Sequence, residues 1–216
     1  GCLSCHRPHS ADNPGLLTEK PGPLCLSGHA ATRDAAQKSK VTHAPAAAGD
    51  CAACHDAHGS NVKGILNDRM ERVCYSCHTD AQASFAKTYS HKPVLDGACS
   101  SCHQPHGSDR SGLLVAEGSK LCESCHAPMM KPIAAGVQHT PFTEGMCLTC
   151  HNPHASNIKG MAAEKIGTLC AACHSDVTDA VAAGKTKHQP ALAGDCTSCH
   201  SPHQTVLPRL LLAKAP

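Results

Sequence analysis

The pattern C-x-x-C-H recurs eight times in a chain of 216 residues, and these motifs contain 16 of its 17 cysteines. The motifs begin at Cys2, Cys51, Cys74, Cys99, Cys122, Cys147, Cys170 and Cys196. A ninth copy in the same register, Cys25 to His29, has Gly28 in place of the second cysteine. Disordered segments do not space cysteine and histidine so regularly, which argues against disorder despite 17 Gly and 15 Pro.

The rest of the composition excludes an ordinary hydrophobic core. The chain has 2 Phe, 2 Tyr and no Trp, and much of its 41% hydrophobic fraction is alanine and cysteine, which bury little area. A chain of this length cannot form a normal core from such side chains, so another group must fill the interior. No apolar run approaches the roughly 20 residues of a transmembrane helix. The net charge of +2 argues against a nucleic-acid partner.

C-x-x-C-H is the attachment signature of haem c, in which both thiols form thioethers with the porphyrin and the adjacent histidine binds the iron. Zinc ribbons also contain C-x-x-C pairs, but they do not require histidine after every second cysteine. A disulfide framework belongs to shorter chains, and a thioredoxin-like motif occurs singly on a βαβ unit. The predicted thioether cysteines are Cys2, Cys5, Cys25, Cys51, Cys54, Cys74, Cys77, Cys99, Cys102, Cys122, Cys125, Cys147, Cys150, Cys170, Cys173, Cys196 and Cys199. The predicted proximal iron ligands are His6, His29, His55, His78, His103, His126, His151, His174 and His200.

Nine further histidines occupy two periodic positions. Five follow a proximal histidine by three residues, at His9, His58, His106, His154 and His203, and four stand before x-Pro, at His43, His91, His139 and His188. We expect these nine to be distal ligands, so that imidazole lies on both sides of every iron. The balance of nine and nine requires a haem at His29 that is held by one thioether. The alternative is a total of eight haems, with the Cys25–His29 site empty.

The spacing of the H-x-x-H pairs restricts which iron each histidine can bind. His6 and His9 lie at i and i+3 on one side of a helical turn, so they cannot bind opposite faces of one haem. Each H-x-x-H therefore bridges two haems and brings their irons close together. If the H-x-P histidines serve the haems of the H-x-x-H motifs, an end histidine, His9 or His203, is surplus. It would serve an end haem of the same chain or of the next subunit, or it would stay free.

The motif starts are separated by 23, 25 or 26 residues, which gives a period of 48 or 49 residues with two haems per unit. Such a period is typical of repeat arrays. We predict one multihaem array over 1–216, with four repeats at 1–50, 51–98, 99–146 and 147–195 and a terminal half-repeat at 196–216. The predicted fold is mostly coil with short α-helices, including 80–89 and 176–183, and little or no β structure.

The chain resembles multihaem c-type cytochromes of the doubled C-x-x-C-H repeat class over nearly its whole length. The form C-x-x-C-H-x-P-H is specific for that class and occurs at Cys2–His9, Cys99–His106, Cys147–His154 and Cys196–His203, whereas Cys51–His58 has Ala57 in place of the proline. The resemblance implies bis-histidine ligation throughout and one of two roles. One role is a subunit of an extracellular cytochrome filament. The other is a periplasmic conduit that threads an outer-membrane porin, as in MtrA-like proteins.

These features predict an electron carrier rather than an enzyme. Doubly ligated iron has no open position for a substrate, and the C-x-x-C-K motif of many multihaem reductases does not occur. A reductase is the weaker alternative, with His29 at its site. We expect an extracellular or periplasmic protein, because thioether attachment takes place outside the cytoplasmic membrane. Its expected partners are redox proteins or extracellular acceptors, a second copy joined through an end haem into a filament, or a porin, and no nucleic acid.

Overall fold

Short helices separated by coil make up most of the chain in the computed structural model, which describes residues 1–214. The α-helices are α1 (Pro21–Gly28), α2 (Ala30–Lys38), α3 (Ala44–Ala48), α4 (Met70–Tyr75), α5 (Thr79–Phe85), α6 (Lys92–Leu95), α7 (Gly118–Met130), α8 (Thr140–Thr143), α9 (Cys147–Cys150), α10 (Ile166–Ala171), α11 (Ser175–Ala183) and α12 (Gln189–Leu192). The predicted fold class is confirmed. Across residues 1–214, none of these helices has the length and apolar character needed to span a membrane. The last two residues of the predicted half-repeat lie outside the described residues.

The cysteine motifs fall into two structural types. Four of them, which we call helix motifs, have their first cysteine as the fifth residue of an α-helix: Cys25 in α1, Cys74 in α4, Cys122 in α7 and Cys170 in α10. The other five, which we call turn motifs, begin at Cys2, Cys51, Cys99, Cys147 and Cys196, and each fills a single helical turn. The turn motifs are the ones followed by a second histidine in H-x-x-H. The two types alternate along the chain.

Each turn motif begins a small hairpin. The 3₁₀ turns of the chain are Cys2–Ser4, Pro14–Leu16, Cys51–Ala53, Lys63–Ile65, Cys99–Ser101, Ser111–Leu113, Lys159–Met161, Cys196–Ser198 and Pro208–Leu210. The chain leaves the motif, turns, and comes back antiparallel, so that the proximal histidine faces a residue eleven positions later. These bridges are His6–Leu17, His55–Leu66, His103–Leu114, His151–Ala162 and His200–Leu211.

The β structure of residues 1–214 consists of six strands of two residues each. They are β1 (Val41–Thr42), β2 (Tyr89–Ser90), β3 (Gly107–Ser108), β4 (Val137–Gln138), β5 (Ala155–Ser156) and β6 (Gln204–Thr205). They pair antiparallel as β1 with β3, β2 with β5 and β4 with β6. The first strand of each pair precedes an H-x-P histidine, and the second follows an H-x-x-H pair two predicted repeats later. These short ladders therefore join segments that are distant in sequence.

Few side chains are buried. The buried hydrophobic residues are Leu26, Ala36, Phe142, Ala155 and Ala162. The chain exposes 14800 Å², whereas a folded protein of 22.4 kDa exposes about 9,400 Å². The polypeptide by itself therefore does not form an ordinary core, as its composition predicted.

The chain divides into two compact units. The first comprises residues 1–82 and 93–117 and contains the β1–β3 ladder. The second comprises residues 83–92 and the chain from residue 118 onward, and it contains the β2–β5 and β4–β6 ladders. The boundaries of the four predicted repeats stay a prediction.

One of the two predicted helix spans was too long. The helix predicted over 80–89 ends at Phe85, because Tyr89 and Ser90 leave it to pair with β5. The helix predicted over 176–183 is α11, which begins one residue earlier. Pairing with a strand so far along the chain gives no local signal, and this explains the first error.

The returning arm of each hairpin contains two consecutive residues with left-handed backbone conformation, and the second is Leu16, Ile65, Leu113, Met161 or Leu210. In the first four hairpins the first of the two is Gly15, Gly64, Gly112 or Gly160, with φ between 66° and 76°. In the fifth it is Arg209, with φ 57°. Glycine adopts this conformation without steric cost, whereas a residue with a Cβ loses roughly 1 kcal/mol or more. The fifth hairpin is therefore strained at Arg209.

We expect Arg209→Gly to stabilise the fifth hairpin by about 1 kcal/mol, because it removes this strain. The N–H of Leu212 donates to the carbonyl of Cys199 over 2.9 Å, and its amide hydrogen exchange should slow about fivefold. The reciprocal substitution Gly160→Arg should accelerate exchange at Ala163, whose N–H donates to Cys150 in the fourth hairpin. Unchanged rates in both variants would contradict the assignment of strain to this position.

Candidate functional site

Twelve of the 18 histidines form six pairs. In each pair the two imidazole rings lie nearly parallel, and the distance between ring centroids is similar in all six. In the first unit the pairs are His6–His58 at 5.9 Å, His43–His78 at 6.1 Å and His55–His106 at 6.1 Å between ring centroids. In the second unit they are His91–His126 at 6.0 Å, His139–His174 at 6.1 Å and His151–His203 at 5.8 Å. The angle between the two ring planes within a pair is between 15° and 27° in all six pairs. Each pair joins one predicted proximal ligand to one predicted distal ligand.

This spacing fits an iron between the two rings. A bond between a metal and an imidazole nitrogen is about 2 Å long, so two such bonds and the radii of the two rings add to about 6 Å. Rings in direct face-to-face contact would lie at about 3.5–4 Å. The residues therefore fit a haem that is ligated by imidazole on both faces. The ligation of individual irons stays a prediction.

The pairs follow one rule along the chain. The proximal histidine of a turn motif pairs with the second H-x-x-H histidine of the next turn motif, as His6 does with His58. The proximal histidine of a helix motif pairs with the H-x-P histidine of the preceding repeat, as His78 does with His43. The sequence alone left open which distal histidine serves which haem, and these ring pairs join the H-x-P histidines to helix motifs. Successive repeats place like elements side by side, so turn motifs pair with turn motifs.

Backbone carbonyl oxygens lie next to the Nδ1 atom of eight histidines. In the five turn motifs the proximal ring lies next to the carbonyl oxygen on the returning hairpin arm: His6–Gly15 at 2.7 Å, His55–Gly64 at 2.8 Å, His103–Gly112 at 2.7 Å, His151–Gly160 at 2.9 Å and His200–Arg209 at 2.9 Å. Three H-x-P rings lie next to the carbonyl of the proline in an H-x-P-H sequence: His43–Pro105 at 2.8 Å, His91–Pro153 at 3.0 Å and His139–Pro202 at 2.9 Å. Because a carbonyl oxygen only accepts, Nδ1 carries the hydrogen and leaves Nε2 with a free lone pair for a metal.

Two distal histidines are also kept neutral by their surroundings. Burial lowers the pKa of His106, and the nearby imidazoles of His55 and His43 lower it further. Burial likewise lowers the pKa of His203, with His151 and His139 as the neighbouring groups. Neutral imidazole is the form that binds iron. These shifts therefore favour the ligating form at neutral pH.

The cysteines of consecutive motifs lie next to each other. The first thiol of a helix motif and the first thiol of the next turn motif lie close enough to shift each other's pKa, in the pairs Cys25–Cys51, Cys74–Cys99 and Cys170–Cys196. Burial and the thiol of Cys196 raise the pKa of Cys170 to about 11. All 17 cysteines are outside disulfides. Two porphyrins attached at such a pair would have their attachment edges close together.

Comparison with known proteins identifies the family. The doubled CXXCH motif family matches the chain at residues 1–34, 43–83, 91–131, 139–179 and 188–216. The chain belongs to this family. It is a multihaem c-type cytochrome whose doubled motifs hold several haems c for electron transfer. No curated protein matches the sequence.

The matched segments of the cytochrome begin at a recurring kind of residue. After the first, each begins at an H-x-P histidine, at residues 43, 91, 139 and 188. Each of these family units therefore includes an H-x-P histidine together with the turn motif that follows it. In the first three of these units a helix motif comes next, and its proximal ring is the one that pairs with this H-x-P histidine.

The loop after each H-x-x-H contains residues that the sequence analysis missed. Ser108 and Ser156 are buried, and each donates its hydroxyl to a carbonyl on the returning arm, Leu114 at 2.7 Å and Ala162 at 2.6 Å. Each also accepts an N–H two residues later. These bonds fix the loop that carries the second H-x-x-H histidine. A hydroxyl two residues after that histidine recurs at Ser60, Ser108, Ser156 and Thr205, and this register could have revealed it.

Both phenylalanines of the cytochrome contact a second H-x-x-H histidine. The ring of Phe85 lies 4.3 Å from that of His154, and the ring of Phe142 lies 5.0 Å from that of His203. These large side chains therefore pack around predicted ligands instead of forming a separate core.

Six histidines lie outside the six ring pairs described above, and four of them, His9, His29, His188 and His200, face no other histidine ring within residues 1–214. The sequence left either His9 or His203 surplus, and the structure pairs His203 with His151. His29 follows the last residue of α1, and a Cβ built on Gly28 meets no atom within 4 Å. A second cysteine would therefore fit at Gly28. Occupancy of the Cys25–His29 site stays a prediction.

We expect His106→Ala to convert one haem of the cytochrome from low-spin to high-spin, because it removes the ring that faces His55. Electron paramagnetic resonance and absorption spectra of the purified holoprotein measure this change. The matched control is Gln104→Ala, an exposed side chain two residues before His106 that supplies no imidazole. Equal spectra for His106→Ala and the parent would contradict the pairing of His55 with His106.

Proposed function

We propose that this cytochrome conducts electrons along nine haems c, each held between two imidazoles, and that copies join end to end into an extracellular filament. The main support for this conduction is the set of six ring pairs, whose centroids lie 5.8–6.1 Å apart. The count of nine includes the haem at His29, attached through Cys25 alone.

The residues of the chain have separate parts in this function. Bound haem iron supplies the one-electron chemistry, as it cycles between ferric and ferrous states. The cysteines fix each porphyrin by thioethers, and the backbone carbonyls orient the imidazoles so that Nε2 is the ligating atom. Imidazole on both faces leaves no position for a substrate. We therefore propose a carrier of electrons without a catalytic reaction of its own.

The H-x-x-H pairs bring neighbouring redox centres together. His55 and His58 lie on one turn of the chain, yet His55 pairs with His106 and His58 pairs with His6. One short segment therefore holds ligands of two irons. Electron transfer between fixed centres requires such close spacing, and the repeat extends it along the array.

In end-to-end association, two histidines that face no histidine ring within residues 1–214 would gain partners. His200 is the last turn-motif histidine and is exposed, and His9 is the first H-x-x-H partner and is also exposed. The pairing rule would join His200 to the second H-x-x-H histidine of a following turn motif. His9 of a second copy has that position in the sequence. A row of haems would then continue across the junction between copies.

We place the protein in the periplasm or outside the cell, because thioethers of haem c form outside the cytoplasmic membrane. Redox proteins or extracellular acceptors would exchange electrons with the end haems. The second candidate is a conduit in the periplasm or inside an outer-membrane porin. The same repeat, with nothing but haem motifs along 1–214, supports that role, and it requires discrete monomers instead of polymers.

Intact mass and electron microscopy of the purified holoprotein test the proposal. We expect a mass with nine haems per chain and linear polymers. His9→Ala should shorten the polymers, because it removes the ligand offered to His200 of the adjacent copy, whereas the neighbouring exposed substitution Ser10→Ala should not. Eight haems would overturn the Cys25–His29 site, and discrete monomers would favour the conduit. Polymers of equal length in His9→Ala would contradict ligand exchange at the junction.

A further inference from the structure

Four equivalent junctions connect a helix motif to the next turn motif. At each, the residue three positions before the helix-motif cysteine contacts a glycine two positions before the turn-motif cysteine. The contacting pairs are Gly22–Gly49, Glu71–Gly97, Ser119–Gly145 and Gly167–Gly194. At the junctions of Gly22, Glu71 and Gly167 the first thiols of the two motifs interact. Glu71 is the charged side chain among these eight residues, and at the first junction the charge of Asp50, next to Gly49, acts on Cys51.

The carboxylate of Glu71 lies against the backbone of this junction. A Cβ built on Gly97 would lie 2.5 Å from Glu71 Oε2, so the carboxylate occupies the space above the glycine. The side chain of Glu71 is only 21% exposed. Its other oxygen, Oε1, lies 2.7 Å from Nε of Arg69, whose side chain is 66% exposed. Because solvent screens an exposed guanidinium more than a half-buried carboxylate, the ion pair does not cancel the negative charge at the junction.

This charge acts on the attachment points of two haems. Glu71 precedes Cys74 by three residues, one turn along α4, and the thiol of Cys74 interacts with that of Cys99. The Cys99 thiol and burial are the main causes that raise the pKa of Cys74, and the Glu71 charge acts in the same direction. The Cys74 thiol lowers the pKa of Cys99 to about 7, and the charge of Glu71 opposes that shift. Both sulfur atoms therefore lie within the electrostatic reach of this carboxylate.

We propose that Glu71 lowers the reduction potentials of the two haems attached through Cys74 and Cys99, relative to the same two haems when position 71 carries no charge. Reduction adds an electron to ferric iron, and a nearby negative charge makes that electron less favourable. The inference rests on the proposed function, since it requires haem at both motifs.

Spectroelectrochemical titration of the holoprotein tests the inference. A poised electrode with mediators supplies one electron to each ferric haem, and the absorption of the ferrous form reports the midpoints. Glu71→Gln, which keeps the shape and removes the charge, should move the midpoints of two haems upward and leave the remainder of the curve in place. Glu71→Ser, the residue at the equivalent position 119, should do the same and shows whether the shift depends on the particular replacement.

Two matched variants separate position from charge. Ser119→Glu puts a carboxylate at the next equivalent junction and should move two midpoints downward. Asp34→Asn removes a carboxylate that is paired with Lys38 and Arg33 on α2, and it should leave the curve unchanged. Coincident titrations of Glu71→Gln, Glu71→Ser and the parent would overturn the inference. The haem content and low-spin spectrum of the same samples report separately on the proposed function.

Discussion

The hydrogen bond from imidazole Nδ1 to a backbone carbonyl is the interaction on which the rest of this structure depends. A chain with so few large side chains has no packed core to hold a ring in place, and an unrestrained imidazole would offer a metal either nitrogen. A carbonyl oxygen next to Nδ1 removes this freedom. It can only accept a hydrogen, so it favours the tautomer in which Nδ1 carries the hydrogen. The hairpin of each turn motif supplies this oxygen at the position of Gly64 or its equivalents, and the short ladders supply the proline carbonyls. Even the strained backbone at Arg209 keeps its carbonyl on His200.

Stability and cofactor attachment are coupled in such a chain. The buried side chains are few and mostly small, and the surface area is far above that of an ordinary folded protein of this mass. Porphyrins attached by thioethers add the apolar surface that the side chains lack. Proteins that fold on a metal show the same dependence of structure on ligand binding. The same hairpins, ladders and ring pairs recur along the described residues, as is typical of a repeat array.

The candidate ligands could be chosen from the sequence, but the pairing of their rings could not. The cysteine and histidine side chains of C-x-x-C-H indicate haem attachment directly. The regular positions of His58 and His43 indicate that they are further candidate ligands. The i, i+3 spacing of His55 and His58 shows that they face different irons, but it does not say which neighbour lies opposite. The carbonyls that hold Nδ1 have no side-chain signature, since any residue has one. Strands of two residues, such as β2, show no alternation, and for that reason the helix predicted over 80–89 ran too far.

For a chain exported amino terminus first, as its proposed location requires, the two kinds of ring pair differ in the order in which their members cross the membrane. A helix-motif histidine such as His78 follows its partner His43, so both imidazoles have been exported by the time its cysteines emerge. A turn-motif histidine such as His6 precedes its partner His58 by more than one predicted repeat, so its cysteines reach the attachment machinery before the second imidazole exists outside. Maturation from the amino terminus therefore completes one class of centre at once and leaves the other waiting for the next repeat.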